Sequence, residues 1–386
     1  MDLHGLSLPL VAAPAPASRL RRRTESPRLS VVVVNYQHWD DTTRLVRQLR
    51  ASAPLRSGEA EVVVVDNHSP AHPVIGKLRR LSGVSLRRWR RNRGFARAVN
   101  EGCRLSRGDW FLLLNPDVTL DADFLDGVLE TADRLSVEET GVGVVGFRLC
   151  NPDGSRQLST GRLPTLASTL AGLLLPRERR KYQAVSETTS SRVDWATGCC
   201  LLIRRKCWEQ LHGLDTDFFL YYEDVDFCAR AAALGWQVRH DPGLAVTHHR
   251  PLHGRAVSPA LRLITRHALL TYAHKHWPRT HQRLLARIVG WEACLRQLRA
   301  RCEGDAVAAR AFAVLRQVAA DSMTGDSARA GRRLFRVLHR FEPRGGESRV
   351  DVVDHHSEPQ PARLVAAVPG QRGTPRACRD AGHRRR

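Results

Sequence analysis

The chain has 386 residues, 42% of them hydrophobic and 26% charged, enough for one large catalytic domain with extensions or for two modest domains. Its formal net charge of +22 requires an anionic partner, whether nucleic acid, phospholipid headgroups or a phosphorylated substrate. No stretch approaches the roughly 20 apolar residues that span a bilayer, residues 166–175 being too short, and the nine cysteines form no Cys-x-x-Cys pair, which argues against a structural zinc site.

Residues 1–28, rich in Pro, Ala and Arg, read as a disordered leader. Their positive charges follow the apolar part, the reverse of a secretory signal. Order begins at Leu29, where Leu29-Ser30-Val31-Val32-Val33-Val34 is an unbroken run suited to a strand buried on both faces. A helix carrying Leu45, Val46 and Leu49 follows. A second buried strand, residues 61–65, ends at Asp66-Asn67, and a helix with Ile75, Leu78 and Leu81 comes next. A short strand at 84–89 leads to Asn92-Arg93-Gly94-Phe95 and a further helix. A strand at 110–114 then ends at Asn115-Pro116-Asp117. The alternation predicts a mostly parallel sheet with right-handed crossovers. Ligands then bind at the carboxyl ends of its strands, where Asn35, Tyr36, Asp66, Asn67, Asn92, Asn115 and Asp117 stand.

A second block, from about residue 141 to 253, holds a strand at 142–147, the turn Asn151-Pro152-Asp153-Gly154 and a poorly patterned stretch at 159–192. Segments at 195–204 and 218–230 follow, and then a strand near 244–248. Beyond Leu261 the pattern is helical and basic. Leu284, Ile288, Trp291, Leu295 and Leu298 recur at 4-3-4-3 spacing among Arg283, Arg287, Arg296 and Arg299. From about residue 342 the periodicity fades into a tail expected to be disordered. The cysteines, odd in number and often inside apolar runs, read as reduced core residues of a cytosolic protein.

Several side chains have the chemistry of a site. Asp117, after a proline that stops its strand, suits Mg²⁺ or Mn²⁺ against a diphosphate; Asn-Pro-Asp also simply forms turns. The acids of Glu223-Asp224-Val225-Asp226 follow an aromatic run, where crowding and desolvation raise a carboxyl pKa toward general-base use. They equally suit the first turn of a helix. His248 or His249 can complete a metal site with Asp117, or be structural. The run Arg87-Arg88-Trp89-Arg90-Arg91-Asn92-Arg93 suits a nucleic-acid backbone or a charged strand edge.

Taken in order, these segments resemble the family 2 glycosyltransferases of GT-A fold, most nearly the bacterial rhamnosyltransferase-like branch that builds cell-surface polysaccharides. The resemblance spans residues 29–277. It rests on Val31-Val32-Val33-Val34-Asn35-Tyr36, Val64-Val65-Asp66-Asn67-His68-Ser69, Asn92-Arg93-Gly94-Phe95 and Leu113-Leu114-Asn115-Pro116-Asp117. It continues through Asp194-Trp195-Ala196-Thr197-Gly198 and Phe219-Leu220-Tyr221-Tyr222-Glu223-Asp224-Val225-Asp226, with His248 and Lys275-His276 closing it. One departure is Arg250-Pro251-Leu252-His253-Gly254-Arg255, which intervenes where relatives carry a short Gly-rich tract.

The resemblance implies an α/β fold of GT-A type, a mostly parallel Rossmann-like sheet flanked by helices. The catalytic domain would cover 29–260, with a nucleotide-binding half at 29–140 and an acceptor half at 141–260. A basic helical extension at 261–341 and a disordered tail at 342–386 follow. Asp66 is implied to bind the pyrimidine base, with Asn35 and Tyr36 lining the nucleoside and Asn92 and Gly94 in the donor site. Asn115-Pro116-Asp117 stands where relatives carry Asp-x-Asp, which makes Asp117 the metal ligand with His248 and Mg²⁺ or Mn²⁺ the cofactor. Asp224 is implied to be the general base, with Glu223 as the fallback, and Trp195 and Gly198 to line the sugar pocket. The reaction implied is inverting transfer from a nucleotide diphosphate sugar, dTDP-rhamnose in this branch, to a saccharide or lipid-linked saccharide. The location implied is cytoplasmic, peripheral on the inner face of the plasma membrane and in contact with anionic lipid, with no nucleic acid involved. A basic nucleic-acid-binding protein and a catalytically silent scaffold are the rival readings. The acids at 223–226 count against both.

Overall fold

The computed structural model of the chain describes residues 26–172, 182, 183, 185, 186, 188–250 and 257–341. The expected leader up to residue 25, the tail at 342–386 and the stretch from Pro251 to Arg255 lie outside the described residues. The first half alternates strand and helix: β1 (Leu29–Asn35), α1 (Trp39–Ala51), α2 (Ala53–Ser57), β2 (Ala60–Asp66), α3 (Val74–Leu78), β3 (Val84–Arg88), α4 (Phe95–Leu105), β4 (Trp110–Leu114), β5 (Val118–Leu120) and α5 (Phe124–Val137). The next block holds β6 (Val142–Cys150), β7 (Arg156–Gln157), β8 (Thr160–Gly161), α6 (Leu166–Gly172), β9 (Ser191–Arg192), β10 (Trp195–Ala196), β11 (Cys200–Arg204), α7 (Arg205–Gln210), α8 (Glu223–Ala233) and β12 (Gln237–His248). Four helices close the described chain: α9 (Pro259–His276), α10 (Arg279–Cys302), α11 (Ala306–Thr324) and α12 (Ser327–Phe341).

The main sheet runs β3-β2-β1-β4-β11-β6-β12-β5. β1, β2, β3 and β4 are mutually parallel and β12 is parallel to β6, whereas β11 is antiparallel to both its neighbours and β5 to β12. The mostly parallel, helix-flanked sheet of the GT-A expectation is thus what the chain builds. All seven residues of β1 are buried, and they serve two cores. Leu29, Val31 and Val33 pack with Leu45, Val46 and Leu49 of α1, whereas Val32 and Val34 pack with Ala98 and Val99 of α4. Alternate side chains leave opposite faces of a strand, so an unbroken apolar run is the signature of a sheet covered on both sides.

Two elements differ from expectation in extent. β12 begins at Gln237, well before residue 244, because Asp241-Pro242-Gly243 interrupts its pattern without ending it. The ladder to β6 slips between Asp241 and Ala245, a bulge that removes the proline from the register. α5 is an additional helix, its face of Leu125, Val128, Leu129, Ala132 and Leu135 buried on the β1–α1 side.

A third core joins α9 to α12, through Leu263, Leu285, Phe312, Leu315 and Leu334, and includes Phe219 from the loop before α8. Among the described residues no helix is long and apolar enough to cross a membrane. Among the described residues seven cysteines are free thiols, five of them buried.

Candidate active site

Because β1, β2 and β4 are parallel and in register, with Asn35 opposite Asp66, their carboxyl ends open on one edge. A cleft of about 260 Å³ lies there. Of the residues expected from sequence, Tyr36, Asn92, Asn115, Asp117, Asp224 and His248 line it. Asn35, Asp66, Gly94, Trp195, Gly198 and Glu223 do not line it directly, and each has a definite place behind it.

Asn35 and Asp66 are fully buried beneath the Tyr36 and Asn92 end of the cleft. Asn35 Nδ2 donates to Asp66 Oδ1 at 2.9 Å, and its Oδ1 accepts from the His38 amide and the Thr42 hydroxyl. Asp66 Oδ1 also accepts from the Ser69 amide, while Oδ2 takes Arg88 Nε at 2.8 Å. Asp66 thereby ties the ends of β1 and β3 to the loop after β2, and Arg88, from the basic run, is its counter-ion. Arg87 of the same run pairs with Glu101, and Arg93 lies over the Trp89 ring. Asn67 acts next door: its Nδ2 donates to Asn92 Oδ1 and its Oδ1 accepts from the Arg93 amide. That holds the loop bearing Gly94, whose neighbour Phe95 donates its amide to Phe219 O at 2.7 Å.

Asp117 and His248, far apart in sequence, meet because β5 pairs antiparallel with the end of β12, Val118 facing His248. His248 Nε2 stands 3.5 Å from Asp117 Oδ2. His249 points the other way, its Nε2 2.7 Å from the Thr119 hydroxyl, so His248 is the imidazole at the cleft. Arg250 Nε lies 3.8 Å from the same Asp117 oxygen, and its guanidinium also pairs with Asp41. Among the described residues no group of three or more His, Cys, Asp or Glu side chains gathers for a metal. A divalent ion here would take two protein ligands and complete its shell with phosphate oxygens and water, the usual habit of Mg²⁺.

Gln157 bears on that fit. Its Nε2 sits 3.0 Å from His248 Nδ1, while its buried Oε1 finds no hydrogen-bond partner. Turning the amide over would satisfy Oε1 with an Nδ1–H and leave Nε2 of His248 bare toward Asp117, the tautomer a metal ligand needs. The donor set therefore suits a hard divalent cation bound together with a diphosphate.

The acidic cluster splits three ways as α8 begins. Asp224 faces the cleft, Oδ2 accepting from the Gly198 amide at 2.9 Å and Oδ1 from the Val225 amide at 2.9 Å. Each carboxylate oxygen keeps a lone pair for an incoming proton. Asp226 is fully buried, held by Arg230 Nε at 2.7 Å and His276 Nε2 at 2.8 Å. Glu223 is buried as well. Immediately before the helix, Tyr221 and Tyr222 have φ of 72° and 67°. Such left-handed backbone costs a side-chain-bearing residue roughly 1–2 kcal/mol, and strain of this kind persists where surroundings impose it. Here it turns two tyrosines into the cleft wall and aims Asp224 at the opening.

Trp195 is buried and donates its indole N–H to Arg162 O. Tyr182, packed against it at 5.6 Å between ring centroids, is the aromatic that reaches the cleft. His38, Gln157, Tyr182, Arg250 and Ile264 are cleft residues beyond those expected. None sits in a recognisable motif. Gln157 belongs to a two-residue strand, Tyr182 to an unpatterned stretch, and Ile264 to a helix expected to lie apart.

A mostly parallel sheet with a carboxylate–imidazole pair and a second carboxylate at its carboxyl edge is a setting for ligand binding and proton transfer at strand ends. The sequence model of glycosyltransferase-like family 2 matches residues 27–268, and the chain belongs to that family. It is a glycosyltransferase. It is similar to N-acetylglucosaminyl-diphospho-decaprenol L-rhamnosyltransferase of Mycobacterium tuberculosis, 28% identical over 271 residues that cover 64% of this chain and 86% of that one. It is 26% identical over 245 residues to the low-salt glycan biosynthesis hexosyltransferase Agl10 of Haloferax volcanii, covering 58% and 68% of the two chains. Among solved structures, the mannosyltransferase PcManGT from Pyrobaculum calidifontis in complex with GDP-Man and Mn²⁺ superposes with a TM-score of 0.45 at 19% identity, over 82% of this chain and 88% of that one.

Proposed function

We propose that this glycosyltransferase moves rhamnose from dTDP-rhamnose to a hydroxyl of a lipid-diphosphate-linked saccharide, inverting the anomeric carbon, in the synthesis of a cell-surface polysaccharide at the inner face of the plasma membrane. The observation that carries the reading is that Asp117 and Asp224 line one cleft together with Tyr36 and Asn92. The name of the Mycobacterium tuberculosis relative supports the choice of sugar and of acceptor.

Tyr36 and Asn92 hold the donor at the nucleotide end, above the Asn35–Asp66 floor. Asp117 and His248 would hold Mg²⁺ or Mn²⁺, which when bound would supply positive charge against the diphosphate. Arg250 adds a fixed positive charge on the same side. Asp224, pinned by the Gly198 amide, takes the proton of the acceptor hydroxyl as its oxygen attacks the anomeric carbon from the face opposite the diphosphate. One bond forms and one breaks in a single displacement. Phe219, Leu220, Tyr221 and Tyr222 wall the cleft and limit water, which would otherwise hydrolyse the donor.

A donor-hydrolysis screen across nucleotide sugars, with and without Mn²⁺, tests the assignment, with dTDP-rhamnose expected to be the preferred donor. Asp224→Asn should bind donor as the wild type does and lose transfer by about 10²-fold or more. Collapse of donor affinity in that variant, measured by calorimetry, would instead make Asp224 a metal or donor ligand.

A further inference from the structure

α10 carries apolar residues on two faces. Leu285, Ala286, Val289, Ala293 and Ala300 are buried in the core shared with α9 and α11. Leu284, Trp291, Leu295 and Leu298 point outward and are 43%, 74%, 63% and 51% exposed. At 3.6 residues per turn these four fall in one stripe along the helix, with half-buried Ile288 beside them. A continuous apolar stripe of this kind on a surface marks a contact site. The charge around it says what it contacts. Arg283, Arg287 and Arg301 border the stripe on one side and Arg299, paired with Glu303 just past the helix, on the other, all four exposed. The single acid within α10, Glu292, lies off the stripe, engaged by Arg262, Arg266 and Arg296.

We propose that the outward face of α10 docks on an anionic phospholipid surface. Trp291, Leu284, Leu295 and Leu298 enter the headgroup region, and the bordering arginines meet lipid phosphates. An amphipathic helix lies in the interface plane in this manner, an indole being suited to the boundary between apolar and wet layers. Each arginine near an anionic surface adds to the attraction. A second copy of the chain fits less well, since pairing two such stripes would bring arginine rows together with no acid on either stripe to answer them. The inference rests on the lipid-linked acceptor reading only for why the enzyme visits a membrane; the surface itself follows from α10.

Flotation of the full-length protein with vesicles of phosphatidylglycerol and phosphatidylcholine, against phosphatidylcholine alone, tests the proposal. The wild type should float with the anionic vesicles and release as salt rises. The double substitution Trp291→Ser, Leu295→Ser should lower partitioning by more than about tenfold, since two large apolar side chains leave the interface. Arg287→Glu should weaken it as well. All three positions are exposed, so hydrolysis of the soluble donor should be unchanged, which separates loss of docking from loss of catalysis. Equal flotation of wild type and double variant would overturn the proposal. So would a wild-type dimer in size-exclusion chromatography that the double variant converts to monomer.

Discussion

At Gly94 the backbone adopts φ 89° and ψ 162°, a region open essentially to glycine alone. A Cβ there would stand 2.8 Å from the carbonyl oxygen of Phe219, the atom that accepts the Phe95 amide. The glycine thus lets the loop bearing Asn92 lie directly on the loop that leads to Asp224. Gly94→Ala should cost about 2–3 kcal/mol through forced backbone movement, and the displaced Phe219 loop should lower transfer more than tenfold. Urea unfolding and steady-state kinetics check the two effects. Asn92-Arg93-Gly94-Phe95 is recognisable in sequence as a motif. Its contact with Phe219 is not, because a close backbone approach leaves no trace in the identity of the residue approached. Trp195 is the reverse case. The motif around it is legible, yet the large ring turns inward to donate to Arg162 O, and the half-buried Tyr182 lines the cleft in its place.

α8 shows how a helix distributes a cluster of like charges. Successive residues rotate about 100° around the axis, so Glu223, Asp224 and Asp226 enter three environments although they are nearly consecutive. Asp226 faces inward and binds Arg230, one turn along its own helix, and His276 at the end of α9. Arg230 also donates to the carbonyls of Leu211 and Gly213, so one carboxylate secures α8, α9 and the turn after α7. Breaking a buried ion pair by neutralising one member strands the other. Asp226→Asn is therefore expected to destabilise the protein by about 3 kcal/mol in denaturant unfolding while leaving donor affinity intact. Loss of donor binding without loss of stability would place Asp226 in the site instead. The helix and its acidic start are legible from sequence, as is Asp224 within it; that Asp226 is a strut depends on where His276 arrives.

Across the whole molecule, the C-terminal helices are part of the cleft's support. Ile264 lines the cleft, Tyr272 packs on Tyr222, and Phe335 stacks edge-on against Phe219. Trp277 donates its indole N–H to Pro164 O. Buried within α9, His267 has neither ring nitrogen hydrogen-bonded, and burial lowers its pKa to about 4. Burial likewise lowers His240 of β12 to about 4, with Arg156 and Arg148 adding to the effect. Both fold as neutral imidazoles, so below the ordinary pKa of about 6.5 the unfolded chain binds more protons than the folded one. The stability they contribute is complete above that pH and is lost as pH falls toward about 4, on the order of 3 kcal/mol for each. The pH dependence of urea unfolding should fall steeply over that window, and His267→Leu should flatten roughly half of the fall. An unaltered acid limb in that variant would show that His267 is wetted.

The two-sided apolar strands, the strand-end Asn and Asp residues and the 4-3-4-3 stripe on α10 were determined by the sequence alone, because each is a local pattern that backbone geometry converts into a face or an end. Tertiary structure decided the pairings across distance. β5 against β12 brings Asp117 to His248 and turns His249 away, and the Gly198 amide pins Asp224. It also decided that the stripe on α10 faces out, since α9 and α11 cover the opposite side of that helix. Periodicity specifies that a face exists; only the packing of its neighbours determines which face is covered and which side chains share a cleft.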